Sequence, residues 1–295
     1  MENYFQAKKR FFSEVLPQSR KAHQRKMVIN NDDQWGRRIL AETPLPALSY
    51  GIENDCDIKA TDYELSLSGI SARINISGEL FPINSSLIGK FNLYNILAAA
   101  SAAVILHIPQ TLIMSGIENL SCVPGRLENV ESNSGFHVFV DYAHTDDALR
   151  RVLQNLTMLK KKRIITVFGC GGNRDRGKRP LMGEAAASYS DLTIVTSDNP
   201  RLEDPSEIIR EIETGIDQTK IKKVEINQLE RMNDVHSYAV MPDREKAIAA
   251  AINIASVGDI VLIAGKGHED YQIMGTKKMP FDDRVVAAHA LRIKG

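Results

Sequence analysis

The sequence predicts an α/β protein of two domains, the second built on a mostly parallel, Rossmann-like sheet. Three observations lead there. Beyond residue 124, largely apolar runs at 138–142, 164–168, 192–196 and 259–264 alternate with helical segments. Strands buried on both faces read this way, because crossover helices cover a parallel sheet above and below. Before residue 124 the pattern differs, with alternating β-like stretches leading into an alanine-rich helix. Finally, 295 residues exceed what one ordinary domain of roughly 150 residues needs. The expected division is 1–123 and 124–295, where Cys122-Val123-Pro124-Gly125-Arg126 breaks the pattern.

The elements follow in order. Residues 4–15 have amphipathic spacing, and Pro17 ends that helix. A strand at 27–30, a turn at Asn31-Asp32-Asp33 and a helix through Trp35 and Leu40 come next. Alternation as in Tyr63-Glu64-Leu65-Ser66-Leu67 predicts β structure across 58–87. Gly89-Lys90-Phe91-Asn92 opens a helix to 105, and Pro109 starts another to about 120. In the second domain, helices are expected at 146–159, 181–189, 205–215, 244–255 and 284–293. Trp35 reads as core, and Asp282-Asp283 as a helix N-terminal cap.

Composition narrows the function classes. Thirty-seven basic residues balance thirty-seven acidic ones, so neither a nucleic-acid coat nor a polybasic membrane binder is expected. Cys56, Cys122 and Cys170 fit neither a disulfide framework nor zinc spacing, which points to a reducing compartment. No apolar run reaches the roughly 18 residues of a membrane span, and Met1-Glu2-Asn3-Tyr4 lacks a signal-peptide core. The expected setting is cytoplasmic. His23, His107, His137, His236 and His289 show no metal-ligand spacing.

Ligands of parallel sheets collect at the carboxyl ends of the strands. The loops there, 142–147, 169–179, 197–204 and 265–271, are the most polar and glycine-rich of the chain. In the second of them a dinucleotide fingerprint would need glycine where Arg174 stands. The phosphate-loop spacing from Gly172 to Lys178 ends on Arg179, which has no hydroxyl for magnesium. An anion site using Arg174, Arg176, Lys178 and Arg179 competes with a solvated basic loop. Asn199 before Pro200 is held extended, which either places Arg201 on a rigid turn suited to gripping a carboxylate or makes Asp198 and Asn199 a simple turn with Arg201 in solvent. In Gly265-Lys266-Gly267-His268-Glu269, two glycines allow close approach and Glu269 can receive an ammonium group; Lys266 and His268 can alternatively meet a phosphate. Asp141 and His144 are candidates for nucleotide contact, beside Thr145 or Asp146 as a simple helix cap. Asn92 and Asn95 either read a base or ribose or bond neighbouring backbone. Lys160-Lys161-Lys162-Arg163 reads as a solvated helix end.

Together these pieces carry a resemblance. Asn92-x-x-Asn95-x-x-Ala98-Ala99, Pro124-Gly125-Arg126, Asp141-Tyr142-Ala143-His144-Thr145, the run from Gly171 to Pro180, Ser197-Asp198-Asn199-Pro200-Arg201 and Gly265-Lys266-Gly267-His268-Glu269 resemble the Mur ligase family over essentially the whole chain. The resemblance implies the last part of the family's central ATPase domain followed by its carboxyl-terminal amino-acid-binding domain. It implies ATP-dependent formation of an acyl phosphate, attack by an amine, and cofactors ATP and Mg2+ in peptidoglycan precursor synthesis. The Asp198-Asn199-Pro200-Arg201 motif looks like the branch that adds meso-diaminopimelate to UDP-MurNAc-L-Ala-D-Glu. By the same resemblance Arg174 and Asn199 share amino-acid recognition, and Gly265 and Glu269 hold the distal stereocentre. Asn95, Arg126, Asp141, Tyr142 and His144 lie on or near the nucleotide, and Lys8 matches a lysine that, once carbamylated, helps hold magnesium.

The chain also departs from the family pattern. The uridine-nucleotide domain and the GTxGKT phosphate loop of the family do not occur, and no GK[ST] is present anywhere. An amino-terminally truncated ligase, weak or inactive alone, is therefore expected, with the family's amino-terminal half as a further partner. A non-catalytic amino-acid-binding remnant and a lysine-adding or folylpolyglutamate-type ligase are the alternatives. Asp146 stands where the family usually has proline.

Overall fold

The computed structural model describes residues 2–21, 25–131, 133–216, 221–225 and 236–294; His23 lies outside them. The chain divides into two compact units, Met1–Ser121 and Cys122–Gly295.

Unit 1 begins with helix α1 (Glu2–Arg10), which widens into a π-helical turn at Phe11–Val15 and tightens into a 3-10 turn at Leu16–Gln18. The single helix expected to residue 15 thus loses regular α spacing earlier, ahead of the Pro17 ring. Strand β1 (Met27–Asn30), helix α2 (Gln34–Glu42) and strand β2 (Ala47–Gly51) follow. Then come β3 (Ile58–Ser66), β4 (Gly69–Ile76) and β5 (Glu79–Ser85), and helices α3 (Lys90–Ile105) and α4 (Gln110–Asn119). The sheet runs β1-β2-β3-β4-β5, parallel through β3 and antiparallel beyond it. Alternation in β4 sends Ile70, Ala72, Ile74 and Ile76 inward, where Leu93 and Leu97 of α3 meet them. Trp35 is only partly buried, tilted on Phe5 at 5.0 Å, with Arg38 over both rings.

The Asn31-Asp32-Asp33 turn does two jobs. Asp33 caps α2, accepting from the amides of Trp35 and Gly36. Asp32 accepts the amides of Ile52 and Asn54 at 2.6 and 2.7 Å, that of Glu53 at 3.0 Å and the Tyr94 hydroxyl at 2.9 Å. Partial burial works against the charge of Asp32, yet those donors hold its carboxyl well below the usual range.

Unit 2 opens with β6 (Glu128–Val130), β7 (His137–Asp141) and α5 (Asp146–Leu159). It continues through β8 (Ile164–Phe168), α6 (Lys178–Tyr189), β9 (Leu192–Val195) and α7 (Pro205–Glu213). Next are β10 (Lys222–Lys223), β11 (Ser237–Val240), α8 (Arg244–Ile254), β12 (Ile260–Ala264), the hairpin β13 (Tyr271–Met274) and β14 (Lys277–Pro280), and α9 (Asp283–Lys294). The sheet order is β10-β11-β9-β8-β12-β7-β6, parallel throughout except for β6. Every residue of β8, β9 and β12 is buried, as continuous apolar strands between two helical layers require.

The register decides where the loops meet. Ala264 lies opposite both Asp141 and Phe168, and Phe168 lies opposite Val195. Four neighbouring strands therefore end at one level. Their next residues, Tyr142, Gly265, Gly169 and Thr196, leave the sheet along a single rim.

Three local expectations change. Helix α6 begins at Lys178, three residues before the predicted start at 181. The basic run at 160–163 is not merely solvated, since Lys160 pairs with Asp191 at 3.1 Å and Arg163 with the fully buried Asp259 at 2.6 Å. Of the expected cap pair, Asp282 does accept from the Arg284 amide at 2.9 Å, but Asp283 is buried and turns to Arg244.

Candidate functional site

A cavity of about 400 Å³ sits on that rim. It is lined by residues of all four loops: Tyr142 and His144, Gly169 to Gly171 with Arg174, Asp198 to Arg201 without Pro200, and Gly265 with Glu269. Its volume falls in the lower range of small-ligand sites, of order 300–1,000 Å³.

The Asn199-Pro200-Arg201 loop is the most tightly built wall. Pro200 is buried, and its backbone presses so close to the neighbouring loop that a Cβ on Gly172 would lie 1.9 Å from the Pro200 carbonyl oxygen. Only glycine permits that approach. The Gly172 amide donates to the Asn199 carbonyl at 2.9 Å. Arg201 is left-handed, with φ +53°, held by its amide on Ile273 and by its carbonyl accepting from Gly275. The β13–β14 hairpin thus carries the strain of that turn. The guanidinium of Arg201 donates from Nη1 to the Gly172 carbonyl at 2.8 Å, while Nε and Nη2 make no hydrogen bond among the described residues. Two parallel donors remain, the geometry a carboxylate accepts.

The basic loop divides its labour differently from the expected four-cation site. Arg179 is fully buried, donating to Glu203 at 2.9 and 3.0 Å and to Glu211 at 2.8 Å. Arg176 pairs with Glu211 as well. Both arginines hold the loop to helix α7 and are removed from the list of anion ligands. Glu203 also accepts from the Asn173 amide, and Arg179 beside it holds its carboxyl at about 2. Lys178 donates to the His144 carbonyl at 2.7 Å. Arg174 alone in this group makes no hydrogen bond or ion pair among the described residues, and it is exposed at the cavity.

On the acidic side, the carboxylate of Asp198 accepts no hydrogen bond among the described residues and stands beside Gly265. A Cβ on Gly265 would come within 2.9 Å of it, and Gly265 has φ +116°. Glu269 Oε2 accepts from Asn199 Nδ2 at 2.9 Å and from Lys266 Nζ at 3.3 Å, leaving Oε1 toward an incoming cation. Asn199 is 3% exposed, and its Oδ1 accepts from Ile273 and Lys266. It shapes Glu269 rather than standing open as a direct ligand. Lys266, read in sequence as a possible phosphate contact, is fully buried beneath Glu269 and 5.4 Å from the Tyr271 ring centre. Sequence reasoning missed this role, because a lysine between two glycines carries no sign of burial. Cys170 also reaches the wall, where burial pushes its thiol up to about 12 and makes it unreactive.

The proposed nucleotide residues separate. Asp141 is 3% exposed, and its carboxylate closes the junction of two loops by accepting the amides of Leu127 at 2.7 Å and Ala143 at 2.8 Å. Burial raises its pKa, against those amides and the nearby Arg126. Arg126 lies over the Tyr142 ring at 5.1 Å, and Tyr142 packs against His144 at 4.6 Å and His268 at 5.2 Å. His144 Nδ1 donates to the Tyr142 carbonyl at 2.9 Å, so Nε2 is the open acceptor. Asn95 and Lys8 belong to unit 1. Asn95 is exposed and donates to Asn92 at 3.2 Å, while Asn92 is buried and donates to the Ile88 carbonyl. Lys8 is exposed on α1, its ammonium 5.4 Å from the Tyr4 ring centre. Among the described residues no three His, Cys, Asp or Glu side chains group to hold a metal.

The site thus sits on a mostly parallel α/β domain, with guanidinium and carboxylate groups lining one cavity at its strand ends. The comparisons place it further. Residues 1–103 match the Mur ligase middle domain, and residues 125–267 match the Mur ligase, glutamate ligase domain. The chain belongs to the Mur ligase family. It is 47% identical over 292 residues to the UDP-N-acetylmuramoyl-L-alanyl-D-glutamate--2,6-diaminopimelate ligase of Geobacter sulfurreducens, covering 99% of this chain and 57% of that protein. A solved structure of a ligase of the same name superimposes with TM-score 0.64 at 33% identity, covering 99% of this chain and 56% of the other. Folylpolyglutamate synthase from Thermotoga maritima shares the fold alone, at 15% identity and TM-score 0.59 over 82% of this chain and 51% of its own. The chain thus spans rather more than half the length of the curated relatives it matches.

Proposed function

We propose that unit 2 binds meso-diaminopimelate as the amine substrate of an ATP-dependent ligase that extends UDP-MurNAc-L-Ala-D-Glu. One observation carries the reading: Arg174, Arg201, Asp198 and Glu269 all line a single cavity. Diaminopimelate has two amino-acid ends. Its distal carboxylate suits the free edge of Arg201 and the unpaired Arg174, and its distal ammonium suits Glu269 Oε1 and Asp198. Lysine has the same chain and ammonium but no distal carboxylate, so it would leave two guanidinium groups facing a ligand without an anion.

In such a ligase, ATP converts the acceptor carboxylate to an acyl phosphate, whose carbonyl carbon the diaminopimelate nitrogen attacks as phosphate leaves. The contribution of this chain is orientation, since holding one end of the nucleophile at fixed cations and anions sets the reach of the other. The aromatic cluster of Tyr142, His144 and His268 with Arg126 offers a flat face for a nucleotide next to it. The described residues do not fit Mg2+. Lys8 has only an aromatic ring beside it, and no acidic cluster or GK[ST] loop is present to complete a site. Turnover by this chain alone is therefore expected to be weak or absent. A cytoplasmic setting accords with the reading, and among the described residues no helix is long and apolar enough to cross a membrane.

Calorimetric titration of the chain with meso-diaminopimelate and with L-lysine tests the proposal. The expected result is at least tenfold tighter binding of meso-diaminopimelate. Equal affinities, or a preference for lysine, would overturn it.

A further inference from the structure

Below the cavity lies an arginine without solvent access. Arg244 is the first residue of α8, and its side chain is fully buried, as is that of its partner Asp283 at the start of α9. Nε and Nη2 donate to the two Asp283 oxygens at 2.8 and 2.7 Å. Nη2 donates also to the Ala264 carbonyl at 3.0 Å. Nη1 is buried and has no hydrogen-bond partner among the described residues. Such an orphan in a native interior calls for a reason beyond packing. Two of the acidic residues lining the cavity, Asp198 and Glu269, act on Arg244 electrostatically.

Position sharpens the point. Ala264 ends β12, so the carbonyl that Arg244 holds directly precedes Gly265 and the turn bearing Lys266 and Glu269. Next to Asp283, Arg284 pairs with Asp282 at 2.6 Å and reaches Glu128 at 3.5 Å. Glu128 in turn accepts the Gly125 amide at 2.7 Å. The segment 282–284 therefore holds two rim loops, one through Arg244 and one through Glu128.

We propose that Arg244 and Asp283 are a positioning pair for the amino-acid cavity: Arg244, oriented by Asp283, sets the exit of β12 through the Ala264 carbonyl and so places the turn bearing Gly265 and Glu269. A pair that merely joined α8 to α9 would leave that exit unaffected, and well-packed apolar side chains could replace it without loss. The inference rests on the cavity being the amino-acid site.

The test is the full chain carrying Arg244→Met with Asp283→Asn, a swap that removes both charges with little change in volume. Amide hydrogen exchange and calorimetric titration with meso-diaminopimelate are the two readouts. Exchange at 265–269 should rise at least tenfold while β8, residues 164–168, stays as in the parent, and affinity should fall at least tenfold. Exchange and affinity equal to the parent would overturn the proposal. If the parent itself binds no meso-diaminopimelate, the ligand reading fails, and the exchange arm alone decides the positioning role. Should the double variant not fold, Asp283→Asn alone keeps the shape and removes the anion; threefold or faster exchange at 265–269 supports the pair, and unchanged exchange refutes it.

Discussion

Lys8 stands exposed on a helix of unit 1, beside the Tyr4 ring and with no hydrogen bond or ion pair of its own among the described residues. Arg201 in unit 2 is fixed at three points, by the Ile273 carbonyl, the Gly275 amide and the Gly172 carbonyl, with its open edge on a cavity. Asn95 and Arg174 repeat the contrast: the first borrows its neighbour Asn92 for a hydrogen bond, whereas the second is kept free by a loop whose other arginines are all tied down. The candidate residues of unit 2 are held around one cavity, whereas those of unit 1 are not gathered into one among the described residues. Preorganisation is the difference. A side chain fixed by neighbours before the ligand arrives contributes its full interaction, while a mobile one first gives up conformational freedom.

The largest expected effect breaks the anchored side. Arg201→Ala should weaken meso-diaminopimelate binding by about a hundredfold, near 3 kcal/mol, and leave L-lysine binding within about threefold in the same titration. A similar loss for both ligands would show that Arg201 supports the fold instead of reading the carboxylate. Next is the backbone contact beneath it. Gly172→Ala places a Cβ 1.9 Å from the Pro200 carbonyl, so urea unfolding of unit 2 should show a loss of about 2–3 kcal/mol. Full stability in that variant would mean the two loops separate easily.

A smaller effect concerns the salt bridges that free Arg174. Glu203 has a folded pKa near 2, below its usual value of 4.5, so it binds fewer protons folded than unfolded. Its contribution to stability is present above about pH 4.5 and is lost as pH falls toward 2. Glu203→Gln should cost about 1–2 kcal/mol at pH 7 and flatten the stability curve between those pH values. An unchanged acid limb in a pH series of thermal unfolding would contradict the pairing. The smallest effect belongs to unit 1, where Lys8→Ala should change stability by less than about 0.5 kcal/mol and leave amino-acid binding untouched.

The contrast also explains what was legible in the sequence. Runs such as Ile164–Phe168 and Ile260–Ala264 are apolar without interruption, so strand identity, parallel pairing and the rim of loops follow from local pattern. Asp198, Arg201 and Glu269 stand out as candidates because they sit in those polar loops, near glycine or proline. Strand β11, four residues beginning with Ser237, and the hairpin β13–β14, whose second strand is wholly exposed, offer no alternation to read. Lys266, Arg179 and Arg244 were opaque for another reason. Long basic side chains are expected in solvent, and only tertiary packing reveals a buried one with its acidic partners. The same blindness made Arg176 and Arg179 look like ligand residues when they hold Glu203 and Glu211.

The most direct test is a crystal structure of this chain with meso-diaminopimelate bound. The account places the distal carboxylate within hydrogen-bonding distance of Arg201 Nε or Nη2 and of Arg174, with the distal ammonium on Glu269 Oε1 and Asp198. Density for the ligand away from that cavity, or with its ammonium toward the arginines, would contradict it.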